Sequence, residues 1–167
     1  MGVLDANTAG DVHGGTVMRL CDEAAALAAI KHSRRRVVTA AMDRMAFLYP
    51  IHVGELVTLT ASVNAAWRTS MEVGVRVDAE NPQSGEIRHT NTAYLTMVAL
   101  DDDGAPARVA PLIAVTPDEQ RRQREAEFRR ANRLAEREQI AGEREPADTT
   151  ATGASAQDSP VTPPGSS

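Results

Sequence analysis

Gly14-Gly15-Thr16-Val17-Met18-Arg19-Leu20-Cys21-Asp22-Glu23-Ala24-Ala25-Ala26-Leu27-Ala28-Ala29-Ile30-Lys31-His32 reads as a helix buried on most of its sides, and that reading decides the fold. Val17, Leu20, Cys21, Ala24 and Ala28 recur at the spacing of one helical face, while Ala25, Leu27, Ala29 and Ile30 make the other faces nearly as apolar. Such a helix needs a layer to cover it, and the sequence that follows supplies one. Residues 36 to 48 read as a strand. From 55 to 67, Val57, Leu59, Ala61, Val63 and Trp67 alternate with Thr58, Thr60, Ser62 and Asn64, which gives a strand with one dry face. From 70 to 80, Met71, Val73, Val75 and Val77 oppose Glu72, Arg76 and Asp78. Asn81-Pro82-Gln83-Ser84-Gly85 is turn chemistry, and a strand from about Glu86 to Leu100 ends at Asp101-Asp102-Asp103-Gly104.

One helix followed by four strands on short connections predicts an α+β fold, with an antiparallel sheet wrapped around a central helix. A further edge strand is expected. Only Gly2 to Leu4 precede the first motif, so that strand is either very short or belongs to sequence upstream. The main domain is expected over residues 1–115. A charged helix over 116–141 is set off by Thr116 and by Pro117 at its first helical position. Residues 142–167, rich in Pro, Ser, Thr, Ala and Gly, lack the apolar side chains needed to offset the entropy of ordering and are expected to be disordered.

Composition narrows the function. A chain of 167 residues with 42% hydrophobic content holds one ordinary core, filled by aliphatic side chains because aromatics make up 3%. The net charge of -5 argues against nucleic acid as a general partner. Cys21 is the only cysteine, which excludes an intrachain disulfide and favours the cytoplasm. No run of ~20 apolar residues and no signal-peptide pattern occurs, so no membrane partner is expected. Four scattered histidines and one cysteine do not have metal-ligand spacing, and no metal is expected.

Two features carry chemistry. The Gly- and Asx-rich loop Asp5 to Gly15 runs straight into the apolar helix, so the Gly15 amide at the helix N-terminus is a donor for an oxygen that gains negative charge. A tight turn that needs glycine only for packing explains the same pair. Asp22 interrupts the apolar helix, where a carboxylate is costly unless paired or solvated, and a carboxylate there is placed to take a proton from water. The plainer alternative puts Asp22 and Glu23 at a solvated helix edge. Gly15 and Asp22 stand seven residues apart, roughly 10 Å along the axis. One carbonyl does not easily use both, so a site assembled from two subunits is expected.

Asp5-Ala6-Asn7, Gly10, His13-Gly14-Gly15, Asp22-Glu23-Ala24, Val38-Thr39-Ala40, Phe47, Pro50, Gly54-Glu55 and Thr69-Ser70-Met71-Glu72-Val73, in this order and spacing, resemble the family of acyl-CoA thioesterases that includes bacterial and brain-type cytosolic acyl-CoA hydrolases. The resemblance covers roughly residues 4 to 140. It implies a hotdog fold, dimers that group into hexamers, and hydrolysis of fatty acyl-CoA to free acid and CoA. No metal is implied, and no cofactor beyond the CoA of the substrate. It further implies that Asn7 and Asp22 form the catalytic pair across the dimer and that the Gly15 amide binds the thioester oxygen. His13 and Gly14 are candidates to touch substrate. Arg34 and Arg35 are candidates for the CoA phosphates, with the Arg68-Thr69-Ser70 turn lining the pantetheine path. Met45, Phe47 and Trp67 are candidates for the acyl-chain lining. Two other readings compete: a non-catalytic acyl-CoA-binding module, and a hotdog dehydratase for which His13 is the sole candidate histidine.

Overall fold

The computed structural model of the chain describes residues 1–2, 5–43 and 45–143. Helix α1 (Gly14–Ser33) is followed by strands β1 (Arg36–Met42), β2 (Leu56–Ala66), β3 (Ser70–Glu80) and β4 (Ile87–Leu100), then by helix α2 (Pro117–Glu143). The four strands form one antiparallel sheet in the order β1-β4-β3-β2. The expected tail, 142–167, falls almost wholly outside the described residues, as do Val3 and Leu4 of the expected edge strand. The chain divides into two compact units, Met1–Arg130 and Ala131–Ser167, and the described part of the second is helical up to Glu143. Among the described residues no helix is long and apolar enough to cross a membrane.

The core lies between α1 and one face of the sheet. Val17, Cys21, Ala25 and Ala29, a stripe at every fourth position, are buried against Met71, Val73, Val75 and Val77 of β3 and Ala93, Leu95, Met97 and Ala99 of β4. This corrects the expectation of a helix buried on most sides. The sheet covers one stripe only, and Met18, Leu27 (69% exposed) and Ile30 lie bare on the others. His13 caps the start of α1 and Arg34, in the left-handed region at φ 55°, ends it, with its N–H donating to Ile30 O.

One strand boundary and one alternation differ from the sequence pattern for identifiable reasons. β1 stops at Met42 rather than 48. Its ladder to β4 already slips between Thr39 and Ala41, and beyond Met42 the chain keeps isolated bonds to β4, from Asp43 N–H to Tyr94 O (2.8 Å) and from Leu48 N–H to Thr90 O (2.9 Å). In β2 the register to β3 shifts between Val63 and Ala65, a bulge at Asn64. The extra residue reverses the alternation. Ala66 turns toward the core, and Trp67 goes to the opposite face, where the Arg130 guanidinium stacks 4.3 Å from its ring centroid.

That opposite face carries a buried polar layer. Glu72 is fully buried and takes a bidentate contact from Arg129 of α2, with Nη2 at 2.7 Å and Nε at 3.2 Å. Asn64 Nδ2 donates to the same carboxylate at 3.3 Å, and Arg129 lies 3.6 Å over the Tyr94 ring. Gly74 completes the packing: a Cβ built on it would stand 2.6 Å from Asn64 Nδ2. Gly74→Ala is therefore expected to destabilise the fold by roughly 1–3 kcal/mol despite the better strand propensity of alanine. Urea unfolding checks this. Adding Asn64→Ala should recover part of the loss, and an unchanged midpoint in the single variant would refute the packing argument.

Candidate active site

The loop before α1 is built around Asn7. Its Oδ1 accepts the N–H groups of Ala9 (2.8 Å) and Asp11 (3.1 Å), and its own N–H donates to Asp11 O (2.7 Å). Gly10, at φ 87°, supplies the turn conformation that this closure requires. With the oxygen engaged, the Nδ2 end of the carboxamide has no hydrogen-bond partner among the described residues. Asn7 lines a cavity of about 320 Å³ together with Gly14, Val17, Phe47, Tyr49 and Ile51. The half-exposed Phe47 ring rests on Gly14, where a Cβ would stand 3.3 Å from Cζ, so a side chain there would push the ring back by a few tenths of an ångström. Of the three lining candidates, Phe47 is in this cavity, Met45 packs partly buried against the core, and Trp67 lies on the other face of the sheet.

His13 and Gly15 are coupled in a way the sequence did not show. His13 Nδ1 accepts the Gly15 N–H at 3.0 Å, so the expected oxyanion donor is held by its own helix cap. For any other acceptor to take that N–H, the imidazole has to move aside. The contact also fixes the His13 tautomer, because an accepting Nδ1 carries no proton.

Asp22 sits half-buried near the middle of α1, beside the sheet rather than inside the apolar stripe. The Thr39 hydroxyl of β1 donates to its Oδ1. Thr39 Oγ1 also lies 3.5 Å from Met97 Sδ. Sequence reasoning quoted Val38-Thr39-Ala40 but gave Thr39 no role, since a helix-to-strand contact seventeen residues away leaves no local signature. Within one chain Asp22 and the Gly15 amide remain two helical turns apart, as expected. Cys21, next to Asp22, is a free thiol whose pKa burial pushes up to about 11, so it is protonated at neutral pH and is not a nucleophile.

The basic candidates gather at one end of the sheet. Arg36 pairs with Leu100 and Ser70 with Val98, so the start of β1, the start of β3 and the end of β4 are neighbours. Arg34, Arg35, Arg36, Ile30, Leu100 and Asp102 line an open cleft there. Arg36 is tied to Asp101 O (2.9 Å) and Asp102 O (3.2 Å), while Arg34 and Arg35 stand at the helix end. In the adjacent turn the Arg68 and Thr69 carbonyls accept Val109 N–H (3.1 Å) and Ala99 N–H (3.0 Å); Arg68 is exposed, and Thr69 and Ser70 are partly buried. This end is nineteen residues of helix away from Gly15, about 28 Å along the axis. One chain therefore does not bring the arginines and the Asn7 loop to a single short ligand.

An antiparallel sheet with one long helix on its apolar face is the hotdog architecture, and the comparisons agree. A Thioesterase superfamily model matches residues 9–86. The uncharacterized acyl-CoA thioester hydrolase YkhA of Bacillus subtilis is 39% identical over 116 residues, 70% of this chain and 67% of that protein. A hexameric acyl-CoA thioesterase structure superposes with a TM-score of 0.77 at 40% identity, over 80% of this chain and 85% of the other. The acyl-CoA hydrolase of Staphylococcus aureus, solved with butyryl coenzyme A and coenzyme A, gives 0.74 at 33% identity over 84% and 88%. Three further structures of that protein carry alanine in place of an asparagine, an aspartate or a threonine, at positions fifteen and then seventeen residues apart. The match to VdlD of Helicobacter pylori, 41% identical, spans 52% of that relative's length. The chain belongs to the acyl-CoA thioester hydrolases of the thioesterase superfamily.

Proposed function

We propose that the protein hydrolyses fatty acyl-CoA to free acid and CoA at a site shared by two subunits. The carrying observation is the Thr39–Asp22 contact, which holds a half-buried carboxylate in one orientation beside the buried stripe of α1. Asn7, Asp22 and Thr39 are spaced fifteen and seventeen residues apart, the intervals and residue types of the three alanine variants solved for the Staphylococcus aureus hydrolase. In this reading the Asp22 carboxylate takes a proton from water as the water oxygen attacks the thioester carbonyl. The Asn7 amide orients water or substrate. The Gly15 amide of the facing subunit, freed from His13, stabilises the oxyanion. Collapse of the tetrahedral intermediate breaks the C–S bond and releases CoA thiolate, with no cofactor beyond the CoA of the substrate. Gly14 lets the Phe47 ring lie against the backbone, where the two wall the path of the acyl chain. Arg34 and Arg35 receive the CoA phosphates, with the Arg68-Thr69-Ser70 turn along the pantetheine path.

The same proposal includes assembly. Bare Met18, Leu27 and Ile30, on the sides of α1 that the sheet leaves open, give further subunits apolar groups to cover, and a thioesterase with this fold and 40% identity is hexameric. A cytoplasmic location is supported by the free, buried Cys21 thiol.

A thiol-release assay tests this reading. Acyl-CoA is expected to be cleaved faster than the acyl-pantetheine that lacks the phosphates. Mixed Asn7→Ala and Asp22→Ala chains, each inactive alone, are expected to recover activity in heterodimers that carry one intact site. Absence of any thiol release across acyl lengths would leave the binding-module reading in its place.

A further inference from the structure

We propose that Asp11 and His52 are positioning residues for Asn7, anchored to the sheet through Arg88 and the buried Glu55 carboxylate. The inference rests on the catalytic reading of Asn7 and extends it to residues that take no part in the chemical step.

The contacts form one continuous chain. Arg88 of β4 donates through Nη2 to Glu55 Oε1, and Glu55 is only 6% exposed. Glu55 Oε2 accepts the His52 backbone N–H at 2.8 Å. His52 Nδ1 lies 2.7 Å from Asp11 Oδ1, and a carboxylate at that distance requires the imidazole proton on Nδ1. Asp11 and His52 also form an antiparallel bridge, reinforced by Val12 N–H donating to Ile51 O at 2.8 Å. The Asp11 N–H then donates to Asn7 Oδ1 at 3.1 Å. The carboxamide oxygen is thus fixed from the protein side, and only the Nδ2 end is left for a ligand.

The arrangement is specific in what it holds. Asn7 lies in a glycine-containing turn whose tip, Thr8 to Gly10, is exposed; the turn meets the core at Val12, and polar links close the rest of it. Asp11 and His52 are the outermost of them. His52 is largely exposed, and a polar side-chain pair at such a site adds little to global stability. Its effect is therefore local: with it, the turn presents one orientation of Asn7, and without it the carboxamide samples several. Misplacing a reacting group by about 1 Å costs on the order of 100-fold in rate.

The experiment compares His52→Ala, His52→Asn, Asn7→Ala and the double variant Asn7→Ala/His52→Ala by kcat, KM and melting temperature. His52→Ala is expected to lower kcat by roughly 10-fold or more, within the 100-fold range of a misplaced group, with KM and melting temperature close to wild type. His52→Asn, whose Nδ2 donates from near the position of the imidazole Nδ1, is expected to restore most of kcat. In the Asn7→Ala background, His52→Ala is expected to add no further loss. Wild-type kcat in His52→Ala, with Asn7→Ala impaired, overturns the positioning role and leaves the function standing. Equal losses in His52→Ala and His52→Asn also overturn it. Wild-type kcat in Asn7→Ala removes the role of Asn7 itself, and the positioning role with it.

Discussion

Asp22→Ala and Asp22→Asn are expected to lose at least about 100-fold in kcat against acyl-CoA, about 2.7 kcal/mol of transition-state stabilisation, while sedimenting as the wild type does. The asparagine keeps the size of the side chain and a hydrogen bond with Thr39 but takes no proton from water, so it separates base chemistry from packing. The assembly should survive because Asp22 lies beside the buried stripe of α1 rather than in it. More than about a tenth of wild-type kcat in either variant, a loss under ~1.4 kcal/mol, would remove Asp22 from the mechanism.

The second large effect is on stability. Arg129→Ala leaves the fully buried Glu72 carboxylate without the guanidinium that contacts both of its oxygens, and breaking a buried pair from one side costs about 3–5 kcal/mol. For a chain of this size the melting temperature should fall by on the order of 10 °C. Replacing both partners, with Glu72→Leu beside Arg129→Ala, should recover much of that loss because no uncompensated charge remains buried. A single variant that melts within about a degree of wild type would show that the pair does not hold α2 to the sheet.

The parts of the fold that were legible in the sequence were those with a local period. The extent of α1, the alternation in β3 and the Asn81–Gly85 and Asp101–Gly104 turns each follow from a few neighbouring residues, and the structure places them where the pattern does, whereas the buried stripe of α1 shares only Val17 and Cys21 with the face read from the sequence and runs on through Ala25 and Ala29. The bulge at Asn64 was not legible because Ala65 and Ala66, on its C-terminal side, are small enough for either face. The face of Trp67 was therefore misread. The partial burial of α1 was misread for another reason: apolar residues on all sides of a helix report what is eventually covered, not by which chain. In the candidate site, Asp22 and the glycine-led helix start stood out by themselves, whereas Asn7 came only from the resemblance. Contacts between distant residues left no trace: Thr39 with Asp22, His52 with Asp11 and Arg129 with Glu72 join positions 17, 41 and 57 residues apart. The His13 cap was missed because histidine is an uncommon residue at that position.

The bare flank of α1 has a consequence for how the protein behaves on dilution. A helix that presents Met18, Leu27 and Ile30 to water in the lone chain gains stability from any association that removes those groups from solvent. Folding and assembly are then linked by mass action, and the apparent melting temperature rises with protein concentration. A rate per chain that falls as the enzyme is diluted, where a stable assembly would keep it constant, reports the same equilibrium through catalysis.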